Sequence, residues 1–138
     1  FRSPPTDTIA LALRLEHVLG DLPFTALPAL GGPDTLRGYI EGRWRDRAAW
    51  HLGAEWRTWP LPRGVAFTDA IRLERIGVAP FVDLGNVAPS VGALDDAERR
   101  WSYGIGLRLG FERNAIYRID WARSAEETAV TATFGTAF

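Results

Sequence analysis

Residues Trp101 to Phe111 read Trp-Ser-Tyr-Gly-Ile-Gly-Leu-Arg-Leu-Gly-Phe, and this two-residue period constrains the fold more than any other feature. The odd positions Trp101, Tyr103, Ile105, Leu107, Leu109 and Phe111 are large and apolar; the even positions Ser102, Gly104, Gly106, Arg108 and Gly110 are small or charged. Successive side chains of a strand point to opposite faces, so one face is greasy and the other is glycine with a single guanidinium. At ~3.3 Å per residue and a tilt of ~45°, the segment rises roughly 25 Å, which matches the apolar band a membrane barrel presents to lipid. An aromatic residue stands at each end of that band.

The same period recurs in Ile9–Glu16, Trp50–Trp59, Ile76–Gly85, Tyr117–Ser124 and Thr128–Phe138, which predicts about six strands in an antiparallel meander. Arg113-Asn114 and Ala125-Glu126 read as short turns, Pro60–Thr68 as a moderate link and Ser90–Arg100 as a polar loop whose Asp95–Arg100 run is solvated. Gly20–Arg47 is too long and too rich in Gly and Pro for a hairpin loop; such loops are usually functional or disordered. Alternating short and long connections suit a barrel with turns at one rim and loops at the other.

Composition narrows the function classes. A length of 138 residues fits one domain, and a net charge of -1 gives no reason to expect nucleic acid as a partner. The lack of cysteine excludes a disulfide framework and a thiolate metal site. The longest apolar run, Leu22 to Pro33, carries three prolines and is too short for a membrane-spanning helix. With no methionine and no signal segment at Phe1, we expect an internal or C-terminal piece of a longer precursor.

Alternation alone does not separate a membrane barrel from a soluble barrel or sandwich that binds an apolar ligand. Two features favour the membrane. Trp50, Trp56, Trp101, Tyr103, Tyr117 and Trp121 lie on the apolar face, often near strand ends, and such rings prefer the membrane–water boundary. The opposite face carries both charge signs, Glu55, Arg57, Asp83, Arg108, Arg118 and Asp120, which a wet lumen would let pair across the barrel.

The long loop holds Gly31-Gly32-Pro33-Asp34-Thr35-Leu36-Arg37-Gly38-Tyr39, and a later strand holds Phe81-Val82-Asp83-Leu84-Gly85. Leu-Arg-Gly-Tyr after Gly-Gly, then Phe-x-Asp-x-Gly, then a final strand with Phe134, Gly135 and Phe138, resembles the C-terminal barrel of the BamA/TamA superfamily. This group is also called the bacterial surface antigen family. The likeness runs from about Thr8 to Phe138 and implies that residues 1–138 are the C-terminal part of a transmembrane outer-membrane β-barrel with one long lumen loop. It implies that Arg37 contacts Asp83, with Glu55 a second candidate partner on the same face; the bland alternative is an exposed loop arginine like Arg43, Arg45 and Arg47. It also implies that the aromatic C-terminal strand serves targeting; the bland alternative, compatible with it, is that Phe138 anchors the last strand at the interface.

The implied work is non-enzymatic: assembly and insertion of outer-membrane proteins, or polypeptide translocation, in the outer membrane of a Gram-negative cell. The implied partners are outer-membrane lipids, client polypeptides or outer-membrane proteins, and missing N-terminal strands of the same barrel; no cofactor is expected. Six strands fall short of a closed barrel, so an open sheet with unpaired edges is expected. Gly104-x-Gly106-x-x-x-Gly110 misses the dinucleotide spacing, His51, Asp83 and Ser102 lack a nucleophile elbow, and His17 and His51 are too sparse for a metal site.

Overall fold

The computed structural model describes residues 7–61, 65–66, 72–111 and 115–136. Its strands are β1 (Asp7–His17), β2 (Ala29–Leu30), β3 (Trp44–Arg45), β4 (Ala48–Leu61), β5 (Val65–Ala66), β6 (Arg72–Ala88), β7 (Arg100–Phe111), β8 (Ala115–Ser124) and β9 (Thr128–Thr136). Only two 3-10 turns, Phe24–Ala26 and Gly92–Leu94, interrupt the strands among the described residues. The six long strands form one antiparallel sheet in the order β1-β4-β6-β7-β8-β9, with β5 paired to β6. Chain order and sheet order agree, as the hairpin-like period predicts. Among the described residues β1 and β9 each pair on one side only, so the sheet is open.

The register fixes which residues share a level. Leu15 lies opposite Trp50 and Trp50 opposite Asn86, while Leu84 lies opposite Trp101. One rim therefore carries the 18–47 loop, the 89–99 loop and the β8–β9 turn; β4 and β7 end at the opposite rim. The expected alternation of short and long connections does not hold. The long 18–47 loop and the short β8–β9 turn share one rim, because a meander must reverse at alternate ends whatever the loop length. The turn expected at Arg113-Asn114 lies outside the described residues.

β6 is a central strand yet contains Pro80, which has no N–H to give a ladder. The β4–β6 pairing accommodates it. Regular partners stop at Glu55–Phe81, resume at Thr58–Val78, and shift register before Leu61–Ile76. The β6–β7 ladder runs unbroken past the same proline, with Pro80 opposite Ile105.

The two faces differ as the period requires. Leu11, Leu13, Trp56, Val82, Trp101, Tyr103, Ile105, Trp121 and Phe134 are exposed on the apolar face. His51, Glu55, Asp83, Ser102, Arg108 and Asp120 are buried on the other, beneath the 18–47 loop. The soluble alternative needed the indoles gathered in a core; instead Trp101 is 56% exposed and Asp83 only 1%. Burial here is inverted relative to a water-soluble sheet, and a lipid surround is the solvent in which that inversion is favourable.

Two small apolar clusters fasten the loops at the rim. Leu30, Leu36, Tyr39 and Ala49 pack with Trp44 and Val87 under the long loop. Ala48, Ala88 and Leu94 pack with Trp50, Ala93 and Ala97 under the 89–99 loop. Asn86 pins that second loop by donating to the carbonyls of Leu94 at 2.8 Å and Ala97 at 3.1 Å. The polar loop is thus anchored at Leu94, while Asp95, Asp96, Glu98 and Arg99 of the run expected to be solvated stay exposed.

Candidate functional site: a loop arginine on the inner wall

The long loop is a folded unit. Its base closes where the Val18 N–H donates to the Arg47 carbonyl at 2.9 Å, and its stem is the β2–β3 ladder. Its tip turns on glycines with positive φ: Gly31 at 113°, Gly32 at 107° and Gly38 at 93°. The Gly31 N–H donates to the Thr35 hydroxyl at 3.0 Å, and the Gly32 N–H to the Leu36 carbonyl at 3.2 Å. Gly38 is required twice over. Its φ suits glycine, and a Cβ there would sit 3.2 Å from the Arg123 backbone on β8. Leu36 and Tyr39, on either side of it, drop into the apolar cluster, and the Tyr39 hydroxyl donates to the Trp101 carbonyl at 3.1 Å.

With Leu36 and Tyr39 seated, Arg37 points into the charged face. Its Nε donates to Asp83 Oδ2 at 2.8 Å, its Nη2 to Asp83 Oδ1 at 3.0 Å, and its backbone N–H to Oδ2 at 3.3 Å. Its Nη1 donates to Glu55 Oε2 at 2.7 Å. The guanidinium lies 3.4 Å from the centroid of the Phe81 ring, on the same face as Asp83. This is fork-to-carboxylate geometry, which lysine could not reproduce. Burial works against the Arg37 charge, but the hydrogen bonds and negative charge of Asp83 and Glu55 more than offset it, and the pKa stands above the ordinary arginine value.

The cluster extends beyond the loop. Arg108 Nη1 donates to Asp120 Oδ1 at 2.6 Å, and its Nη2 lies 3.1 Å from Glu55 Oε2. Arg118 Nε donates to Asp120 Oδ2 at 2.7 Å, and Arg57 Nε to Glu55 Oε1 at 2.8 Å. Arg108 and Arg118 face each other across β7 and β8, a repulsive placement that Asp120 neutralises by accepting from both. Space for this comes from Gly106, where a Cβ would fall 2.7 Å from Arg108 Cζ. Among the described residues the charges pair along one strand (Arg57–Glu55, Arg118–Asp120), between adjoining strands (Arg108–Asp120), over the intervening β6 (Arg108–Glu55) and through the loop, rather than across a lumen as the alternation suggested. Strands that adjoin place same-face side chains ~5 Å apart, so the nearest opposite charge is a neighbour.

The other residues singled out in the sequence are placed as follows. Gly85 lies on the covered face against Leu30, where a Cβ would come within 3.2 Å of Leu30 Cδ1. Phe134 is exposed on β9 with its ring 4.9 Å from that of Tyr117, and Gly135 pairs with Ile116. Phe138 lies outside the described residues. His51, Asp83 and Ser102 share the covered face, but His51 Nε2 stands 3.5 Å from Asp83 and Ser102 Oγ makes no hydrogen bond. Asp83 serves Arg37 and orients no nucleophile. Sequence reasoning did not single out Arg108 or Asp120 as parts of the site, although their strand parity placed them on its face. It also missed the Arg43–Glu126 pair at 3.0 Å, which ties the loop to the β8–β9 turn and carries no sequence signal.

Neither curated proteins nor solved structures returned a match to this chain. A family model described as the Omp85 superfamily domain matches residues 6–130. That family is one of outer-membrane β-barrels concerned with inserting or translocating proteins. The inverted sheet, the loop folded onto its inner wall and this match over nearly the whole chain agree: the chain belongs to the Omp85 superfamily.

Proposed function

We propose that this chain is the loop-bearing, C-terminal part of a BamA/TamA-type barrel that inserts outer-membrane proteins or passes polypeptides across the outer membrane of a Gram-negative cell. The observation that carries the reading is the lumen loop held on the inner wall by Arg37, with Asp83 and Glu55 as its anchors. The apolar face meets outer-membrane lipid. Further strands of the same barrel complete the wall beyond β1, and client polypeptides pair with exposed strand edges through main-chain hydrogen bonds. The chemistry is mechanical, needing no cofactor: strand pairing and burial supply the free energy, and the latched loop keeps the lumen from standing open. The aromatic sequence signal of Phe134, Gly135 and Phe138 is what delivers the chain itself to the membrane.

The test is reconstitution of the full-length protein in lipid vesicles with an unfolded outer-membrane client. Faster acquisition of the client's heat-resistant fold than in protein-free vesicles, or protected passage of a polypeptide into the lumen, is the expected result. Neither activity in a correctly folded preparation would remove the reading.

A further inference from the structure

Between β1 and the lumen loop lies a cavity of about 300 Å³, lined by Ala10 and Ala12 of β1, Asp34 and Arg37 of the loop, and His51, Gly53, Glu55, Arg57, Asp83 and Arg118. Its unused hydrogen-bonding capacity is one-sided. Both oxygens of Glu55 accept from guanidinium groups, and so do both oxygens of Asp83. The donors are not used up. Arg57 uses Nε on Glu55 and Arg118 uses Nε on Asp120, and among the described residues the terminal nitrogens of both make no hydrogen bond. Both side chains are partly exposed, at 46% and 34%. His51 is more than nine-tenths buried, yet its Nε2 has no hydrogen-bond partner.

We propose that this cavity is a binding site for an oxyanion, a carboxylate or phosphate group, held by Arg57, Arg118 and His51. A cation is disfavoured, because the acids of the wall are already committed and only exposed Asp34 at the mouth remains. The walls are small where a ligand needs room. Ala10 and Ala12 flank it, and at Gly53 a Cβ would stand 3.0 Å from Asp83 Oδ1 and 3.2 Å from His51 Cε1. Guanidinium groups with paired terminal N–H donors match the spacing of oxyanion oxygens. The site lies beside the Arg37 latch without using its atoms, so it holds whether the barrel inserts or translocates its clients. The anion has two sources with the same chemistry: an acidic side chain of a polypeptide within the lumen, or a free small anion.

The test is calorimetric titration of the full-length protein in uncharged detergent, at fixed ionic strength, with inorganic phosphate in one arm and a hexaglutamate peptide in the other. Saturable uptake is expected, weakened about tenfold or more in the Arg57→Gln/Arg118→Gln variant, because charge-assisted bonds are lost. Tighter capture of the peptide identifies a polypeptide source, and tighter capture of phosphate a free anion. His51→Gln keeps the packing and should weaken both ligands. No saturable uptake of either ligand, or equal affinity in the double variant with its loop still protease-resistant, would overturn the proposal.

Discussion

Replacing Arg37 with alanine removes three side-chain hydrogen bonds, two to Asp83 and one to Glu55. The two carboxylates do not suffer equally. Glu55 keeps Arg57 at 2.8 Å and Arg108 at 3.1 Å. Asp83, only 1% exposed, keeps the backbone N–H of residue 37 at 3.3 Å and His51 at 3.5 Å. The loss therefore falls on a nearly unpartnered buried charge, for which removal of one partner costs ~3–5 kcal/mol. Because Arg37 is on a loop whose release need not unfold the sheet, that cost appears as loop opening. It corresponds to a rise of roughly 10² to 4 × 10³-fold in the open population. Trypsin reads it directly, since Arg43, Arg45 and Arg47 lie in the loop. Cleavage there in the folded, full-length Arg37→Ala protein should accelerate by that factor. The paired change Arg37→Met with Asp83→Leu should recover most of the loss, because it removes the stranded charge as well. Acceleration of less than about tenfold would refute the latch as the element that holds the loop.

Three further outcomes follow from the same geometry. Gly106→Ala places a methyl 2.7 Å from Arg108 Cζ and should lower stability by about 1–3 kcal/mol in denaturant titration, whereas a neutral result would mean the cluster can shift aside. Leu107→Arg puts a guanidinium mid-strand on the outward face and should cost ~2–4 kcal/mol for folding into bilayers, and tolerance there would count against lipid contact. Glu126→Gln breaks a pair whose side chains are 46% and 39% exposed, so loop cleavage should change by less than about 1 kcal/mol, in contrast to Arg37→Ala.

The strand meander was legible because a two-residue period is local: Trp101 to Phe111 shows its two faces without reference to any partner. The indoles and phenols that collect on the apolar side were legible too, and they favoured the membrane over the soluble alternative that alternation left open. The family likeness pointed to Arg37, Asp83 and Glu55 as neighbours, but the residue pattern alone left Arg37 undistinguished from Arg43, Arg45 and Arg47. What separates them is where Leu36 and Tyr39 seat, and that depends on the pocket made by Leu30, Ala49 and Val87 on three different segments. The Pro80 interruption was visible as a residue, yet its consequence, a gap between β4 and β6 only, depends on which neighbour the missing N–H would have faced.

By itself, then, the chain's alternation determined six strands and which residues share each face, since both follow from side-chain parity. Tertiary structure alone decided how Arg37 divides its donors between Asp83 and Glu55, that Asp120 bridges Arg108 and Arg118, and that Asn86 ties down the 89–99 loop. Apart from Arg118 and Asp120 of β8, those partners lie on different segments, and their meeting is set by register and by how the loops fold back, quantities that no local pattern encodes.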